Sequence, residues 1–194
     1  VLDKHNVRCT VSLSMSVIEM YPEILEAMEA RRWEYMSHGY FNTRYHWGYS
    51  PEEEREVIEH SKATHLRLTG RKLRGWFSPA ISNTLNTPDL VKEAGLEYFC
   101  DFYHDDQPTP LATKHGPLIH VPYTMDLNDA LIYRQPVEAE EFAQMIVDHF
   151  DTVYREGSEN GRVMCIALHP YMMGAPHRLK YLDKALGYIR QHKD

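Results

Sequence analysis

The sequence WEYMS at 33–37 runs into HGYFN at 38–42, and the acid-rich segment SPEEEREVIEHSKATHLRLTG follows at 50–70. The first segment is short and rich in residues that favour extended structure, which predicts a strand. The last predicts a helix, because Ser50 can serve as its N-cap, Pro51 suits the first helical position and acids fill the first turn. A strand, a polar loop and a helix in this order form the repeating unit of an α/β fold.

The same unit recurs along the whole chain. Strands are predicted at 8–14, 33–37, 73–77, 98–102, 118–122 and 163–168. Helices are predicted at 21–32, 51–69, 88–94, 139–156 and 177–192, with Thr87 as the cap of the third. Strands that alternate with helices indicate a mostly parallel sheet, either a closed barrel or an open doubly wound sheet. Without any linker or repeat, we predict a single domain over residues 1–194.

Composition excludes several classes of partner. The formal net charge of −7 argues against nucleic acid and against an anionic membrane surface. No strand is followed by a glycine-rich phosphate turn, and no apolar stretch approaches the roughly 20 residues that span a bilayer. Cys9, Cys100 and Cys165 are scattered in apolar stretches without zinc-site spacing, which is typical of buried thiols in a reducing, cytoplasmic protein.

Polar side chains gather where the predicted strands end. These polar clusters lie at 37–42, 78–84, 101–106, 123–129 and 169–171. In a parallel barrel the carboxyl ends of the strands converge on one face, and catalytic groups lie there. We therefore expect the five clusters to line one pocket, with a solvated loop as the alternative for any cluster taken alone.

Two histidines are the main candidates for chemistry. His38 and Asn42 are four residues apart, a spacing at which two histidines can bind one metal ion, but asparagine is a poor zinc ligand. The pair is therefore a degraded metal site, a hydrogen-bonding site, or a loop in which His38 has only a structural role. His169 follows an apolar strand, and an imidazole there could protonate a leaving nitrogen; a buried structural histidine is the alternative.

Further residues could contact a substrate. Asp105 and Asp106 could bind polar groups, orient a histidine or act as a base, although a cap or a solvated loop is equally compatible with the pattern. Arg178 could clamp a carboxylate or carbonyl, or form a surface salt bridge. Trp76 and Tyr123 could wall the pocket, although aromatic residues in strands usually belong to the core.

Six motifs in fixed order resemble the polysaccharide deacetylase superfamily, and most of all its allantoinase-like and cyclic-imide-hydrolase-like branch. The motifs are SHGYFN at 37–42, GWFSP at 75–79, SNT at 82–84, DFYHDDQP at 101–108, VPYTMDLND at 121–129 and ALHP at 167–170. Each motif alone is weak, but their order and spacing are specific. The resemblance implies a distorted, incomplete (β/α) barrel that hydrolyses a C–N bond in an acetamido sugar or in a small ureide or imide.

The resemblance also implies roles for individual residues. In the metal-dependent members an Asp and two His bind zinc or a similar cation, a second Asp is the base, and a His after the last strand is the acid. By position, His38 matches the first ligand His and His169 the acid. Asn42 stands where the second ligand His would be, and Ser78 where sugar deacetylases carry Arg. The acidic motif of the first strand has no counterpart, and we expect it upstream of Val1.

These departures favour a small substrate. With one of three ligands left, at His38, we expect either no cofactor or a weakly bound divalent cation such as zinc; some members of the branch are understood to work without a metal. Catalytic roles are assigned to His169 and His38. Substrate binding is assigned to Asn42, Trp76, Ser78, Asp105, Asp106, Tyr123 and Arg178.

We expect a C–N hydrolase of a small amide, ureide or imide, assembled as a homo-oligomer because an exposed sheet edge needs a partner. Two alternatives stay open. One is a metal-dependent polysaccharide or peptidoglycan N-deacetylase, and the other is a catalytically inactive binding module on the same scaffold.

Overall fold

The computed structural model describes residues 1–135 and 137–192 and contains two compact units. The sheet unit comprises Arg8–Phe102 and Thr109–Val121. The helical unit comprises Val1–Val7, Tyr103–Pro108 and Pro122–Asp194. Whether the two units form the single domain predicted from the sequence stays a prediction. No helix in the described ranges combines the length and the apolar character that a membrane span requires.

A six-stranded mixed sheet forms the centre of the sheet unit. Its strands are β1 (Thr10–Leu13), β2 (Glu34–Ser37), β3 (Gly75–Trp76), β4 (Tyr98–Phe99), β5 (Thr109–Thr113) and β6 (Gly116–His120). Their order is β1-β2-β3-β4-β6-β5, with β5 antiparallel to β6 and all other neighbours parallel. The predicted α/β class is therefore confirmed, with β1 and β5 at the two ends of the sheet.

Four helices accompany the sheet: α1 (Met15–Met20), α2 (Pro22–Ala30), α3 (Pro51–Thr69) and α4 (Thr87–Glu93). Helix α3 has the predicted bounds because its start is chemically fixed. The Ser50 hydroxyl accepts from the Glu53 amide at 3.3 Å, while the Glu53 carboxylate accepts from the Ser50 amide at 2.8 Å. This reciprocal capping box satisfies amide groups that a helix start otherwise leaves unpaired.

The helical unit contains α5 (Leu131–Arg134), α6 (Ala139–Glu156) and α7 (Pro176–Ile189). Its core consists of apolar side chains from α6, α7 and the loop before α7, among them Phe142, Ile146, Met173, Leu182 and Leu186. Helix α6 has the predicted bounds because its apolar side chains recur at helical spacing.

Two predictions of local structure were wrong, and two elements were missed. The segment 163–168 is not a strand; it makes one isolated parallel bridge, between Asn128 and Ala167. The hairpin strand β5 and the short helix α1 were not predicted, because neither carries a clear period. Thr87 is the first residue of α4 rather than its cap, and its hydroxyl donates instead to the buried carboxylate of Glu54.

The capping box predicts a measurable effect on stability. Ser50→Ala removes the acceptor for the Glu53 amide and should lower the free energy of unfolding by about 1 kcal/mol, measured by urea denaturation. Ser50→Asp restores an acceptor and serves as the control, with stability close to that of the parent. Equal stability of the Ala variant and the parent would show that the cap contributes nothing.

Candidate functional site

A buried aspartate and a half-exposed histidine form a pair in the helical unit. Asp129 follows the short 3-10 turn Met125–Leu127 and is completely buried. Its Oδ1 lies 2.6 Å from Nδ1 of His169, whose side chain is 39% exposed. Because a carboxylate accepts, Nδ1 carries the proton and donates it in this hydrogen bond. The arrangement leaves Nε2 of His169 as the ring nitrogen that can exchange a proton with another molecule.

The second oxygen of Asp129 fixes the loop that carries His169. Oδ2 accepts from the backbone amides of His169 at 2.8 Å and of Met173 at 3.1 Å. The loop turns so tightly that a Cβ on Gly174 would lie 2.0 Å from the Pro170 carbonyl oxygen, so only glycine fits there. One carboxylate therefore sets both the tautomer of the imidazole and the backbone that supports it.

Arg178 in α7 adds a further restraint on this loop. Its Nη1 donates to the Met172 carbonyl at 3.0 Å and to the Tyr133 hydroxyl at 2.7 Å. The guanidinium also lies over the Tyr133 ring, 4.9 Å from its centroid. Arg178 was predicted to bind substrate; the structure places it against the loop after His169, and its contact with a substrate stays a prediction.

The other predicted residues of the helical unit have separate surroundings. Tyr123 is buried, its hydroxyl accepts from the Asn128 amide at 2.6 Å, and burial raises its pKa. The Asp105 Oδ1 accepts from the backbone amides of residues 106 and 107, so this side chain orders its own turn. Asp106 is joined to the unit through its carbonyl, which accepts from Val163 at 2.8 Å.

In the sheet unit, His38 and Asn42 follow β2. The Phe77 carbonyl lies 2.9 Å from Nδ1 of His38, and because a carbonyl only accepts, Nδ1 carries the proton. The His38 ring stacks on Phe77 with centroids 5.0 Å apart. Asn42 is exposed in the loop that follows. His38 and His169 lie in different units, and the pocket that they were expected to share stays a prediction.

A second carboxylate–histidine pair is completely buried in the sheet unit. His46 Nδ1 lies 3.2 Å from Oε1 of Glu54 in α3, and both side chains are inaccessible to solvent. Glu54 also accepts from the hydroxyls of Thr84 at 2.8 Å and of Thr87. Burial alone would raise the pKa of Glu54, but the hydrogen bonds that it accepts outweigh burial and hold the pKa below its ordinary value.

Asp101, two residues after β4, is a buried carboxyl with fewer partners. Its Oδ1 accepts from the Ser78 amide at 2.7 Å, while Oδ2 is buried and has no hydrogen-bond partner among the described residues. Burial, opposed in part by the Ser78 side chain and amide and reinforced by the charge of Glu54, raises the pKa of Asp101 to about 7. Trp76 donates to the Ser78 hydroxyl at 3.0 Å, and both side chains are fully buried. Trp76 and Ser78 therefore support this carboxyl, and their contact with a substrate stays a prediction.

The ligands for a metal ion are incomplete. In residues 1–135 and 137–192, no group of three or more His, Cys, Asp and Glu side chains is arranged to hold a metal ion. Four residues after His38, the exposed residue Asn42 occupies the position at which the resemblance implies a second ligand histidine. The residues present do not fit the three-ligand set that the resemblance implies, and a weakly bound cation at His38 stays a prediction.

Asp129, His46 and Glu54 were not singled out from the sequence. Asp129 lies 40 residues before His169, and only the polar cluster at 123–129 indicated it. Glu54 is one of three consecutive acids at the start of α3, where acids normally face water. Nothing in the local pattern distinguishes it from Glu52 and Glu53.

Comparison with known proteins identifies the family. A polysaccharide deacetylase family model matches residues 1–99, just over half of the chain, so the chain belongs to the polysaccharide deacetylase family. This confirms the resemblance seen in the motifs. No curated protein sequence gives a significant match.

Two crystal structures are similar over almost the whole chain. A probable polysaccharide deacetylase from Pseudomonas aeruginosa PAO1 is 31% identical with a TM-score of 0.90, and the match covers 99% of this chain and 65% of that one. Puue allantoinase is 29% identical with a TM-score of 0.91, covering 99% of this chain and 64% of that one. The chain thus spans slightly less than two thirds of these relatives, and their fold type agrees with the predicted allantoinase-like branch.

The raised pKa of Asp101 predicts how stability depends on pH. Its ordinary value of 3.8 rises to about 7 on folding, so the unfolded chain releases this proton first and stability falls as pH rises from 3.8 towards 7. Asp101→Asn keeps the acceptor for the Ser78 amide without a titrating proton. It should be more stable than the parent by roughly 2 kcal/mol at about pH 8, with the difference lost near pH 4.

Thermal or urea unfolding across this pH range measures the difference, and Asp126→Asn, at an exposed aspartate, is the matched control. A parent and an Asp101→Asn variant whose stabilities run parallel from acid to alkaline pH would show that the pKa of Asp101 does not change on folding.

Proposed function

We propose that the chain hydrolyses C–N bonds other than peptide bonds, with a small amide, ureide or imide as its substrate. The observation that carries this proposal is the hydrogen-bonded pair of buried Asp129 and half-exposed His169. Membership of the polysaccharide deacetylase family and the similarity to an allantoinase support the same type of bond.

His169 has the features required of a proton donor to a leaving nitrogen. Asp129 accepts from Nδ1, which keeps Nε2 directed away from the buried carboxylate. When Nε2 takes up a proton, the imidazolium forms against an ionised carboxylate and is stabilised by it. The backbone amides held by Asp129 prevent the loop from shifting as this charge changes.

His38 and Asn42 are proposed to hold a water molecule or the substrate carbonyl. The proton on Nδ1 of His38 is directed at the Phe77 carbonyl, so Nε2 is the atom with a lone pair. The Asn42 amide can donate to an oxygen without carrying charge. Asparagine at 42 and serine at 78, where sugar deacetylases carry histidine and arginine, support a small substrate over a polymer.

The cellular environment and the oligomeric state are part of the same proposal. All three cysteines are free, which supports a reducing, cytoplasmic environment. Assembly into a homo-oligomer is also proposed, because β1 and β5 leave the sheet with two ends among the described residues.

Substitution of the histidine tests the role of the pair. His169→Gln removes the proton donor and should lower kcat for allantoin, a cyclic imide or an acetylated chitooligosaccharide by about 10²- to 10⁴-fold, with circular dichroism unchanged. Asp129→Asn should lower kcat as well, because the amide no longer selects the tautomer with a proton on Nδ1. His177→Gln, at an exposed histidine, is the control. Turnover by His169→Gln equal to that of the parent would refute the assigned role, and no turnover by the parent on any of the three would favour an inactive module.

The family match itself favours a second function, a metal-dependent polysaccharide or peptidoglycan N-deacetylase. Chelation separates the two. For the small-substrate hydrolase proposed here, turnover of the ureide or imide should change less than twofold after treatment with a chelator. A chitooligosaccharide activity that disappears with the chelator and returns with added zinc would support the metal-dependent deacetylase instead.

A further inference from the structure

Two neighbouring loops of the sheet unit are almost free of charge. A quarter of all residues are charged, yet residues 38–50, after β2, include only Arg44, and residues 75–88, from β3 into α4, include none. The first loop carries His38 and Asn42. The Ser82 hydroxyl accepts from the His46 amide at 2.9 Å, so the two loops are joined to each other. A surface of this composition offers little attraction to a strongly charged ligand.

The first of these loops places two large aromatic side chains in solvent. Tyr45 is 45% exposed and Trp47 is 63% exposed, whereas His46 between them is completely buried. The rings of Tyr45 and Trp47 lie close to each other, with their centroids 5.5 Å apart and their planes inclined at 56°.

The buried residue between them is firmly anchored. The His46 ring stacks on Tyr49 with centroids 5.6 Å apart and lies 5.7 Å from the Trp76 ring. Its Nδ1 is paired with Glu54. The loop is therefore anchored at the residue between the two exposed aromatic rings. Large exposed apolar side chains that are rigidly presented are typical of binding surfaces.

We propose that Tyr45 and Trp47 form a stacking subsite for an uncharged polar ring, either a cyclic amide or a sugar. Such a ring offers a flat face to the aromatic pair and needs no charged partner, which matches the composition of both loops. Tyr45 lies three residues after Asn42, so the subsite is on the same loop as a residue predicted to bind substrate. As a substrate subsite, this proposal rests on the hydrolase function proposed above.

Binding measurements test the subsite separately from turnover. The probes are a neutral cyclic imide, a neutral chitooligosaccharide and the dianion succinate, each titrated while the Trp47 indole resonance is followed by NMR. We expect at least one neutral ring to shift this resonance at millimolar concentration and succinate to leave it unchanged. Trp47→Ala should weaken binding of that ring about fivefold to tenfold, as expected for the loss of one stacking face. Because this variant lacks the Trp47 indole, its affinity is measured from the other resonances that the ring shifts.

Matched variants make the result specific. Tyr45→Ala should weaken binding of the same ring compound, and Trp47→Phe should retain most of the affinity for it. Tyr21→Ala, at a tyrosine that is 48% exposed outside these loops, should have no effect. If only the imide or only the sugar shows binding that depends on Trp47, that compound identifies the kind of ring that the subsite accepts.

Three outcomes would overturn the proposal. The first is binding of neither neutral ring, and the second is binding that Trp47→Ala leaves unchanged. The third is a change of sedimentation coefficient in Trp47→Ala without a change in ring binding, which would assign the surface to a second copy of the chain. Ring binding that depends on Trp47 in a protein without turnover would remove the hydrolase function and leave the subsite in place.

Discussion

The buried carboxylate of Asp129 is the interaction on which the candidate chemistry depends. A completely buried negative charge is unfavourable unless hydrogen-bond donors surround it. Asp129 receives three, from the His169 imidazole and from the amides of His169 and Met173. The donors that make its burial possible are the same groups that fix the histidine and its loop. Stability of the carboxylate and orientation of the imidazole therefore have one cause.

The sheet unit contains two buried carboxyl groups, and only one of them is surrounded by hydrogen-bond donors as Asp129 is. Glu54 is buried with three side-chain donors, and its pKa is held low. Asp101 is buried in the same unit with a backbone amide on one oxygen and no partner on the other among the described residues, and its pKa rises to about 7. The side chain with more hydrogen-bond donors is the one whose pKa is lowered, and the one with fewer is the one whose pKa is raised. Glu54 thus serves to hold His46, whereas Asp101 is the carboxyl whose pKa burial raises to about 7.

The sequence predicted those parts of the structure that depend on neighbours along the chain. The bounds of α3 follow from Ser50 and Pro51, and those of α6 from its apolar period, since caps and periods are local. Residues 163–168 looked like a strand because they are apolar, but a strand also needs pairing partners, and only Ala167 bridges a neighbouring segment. The position of His169 after an apolar run made it a candidate proton donor. The pairing with Asp129 could not be predicted, because a contact across 40 residues is determined by folding rather than by local pattern.

The two sides of the proposed reaction make different demands on the protein. Proton delivery needs one oriented imidazole, and Asp129 with His169 satisfies that need within the helical unit. Polarising a carbonyl needs either a cation or neutral donors placed to receive the developing charge. At position 42 a histidine would contribute to binding a cation, whereas asparagine contributes an uncharged N–H donor. In the proposed function, the identity of this residue decides which kind of polarisation the loop after β2 can supply. The loop with the exposed aromatic rings carries a single charged side chain, Arg44, and this composition is consistent with neutral donors acting on a neutral ring.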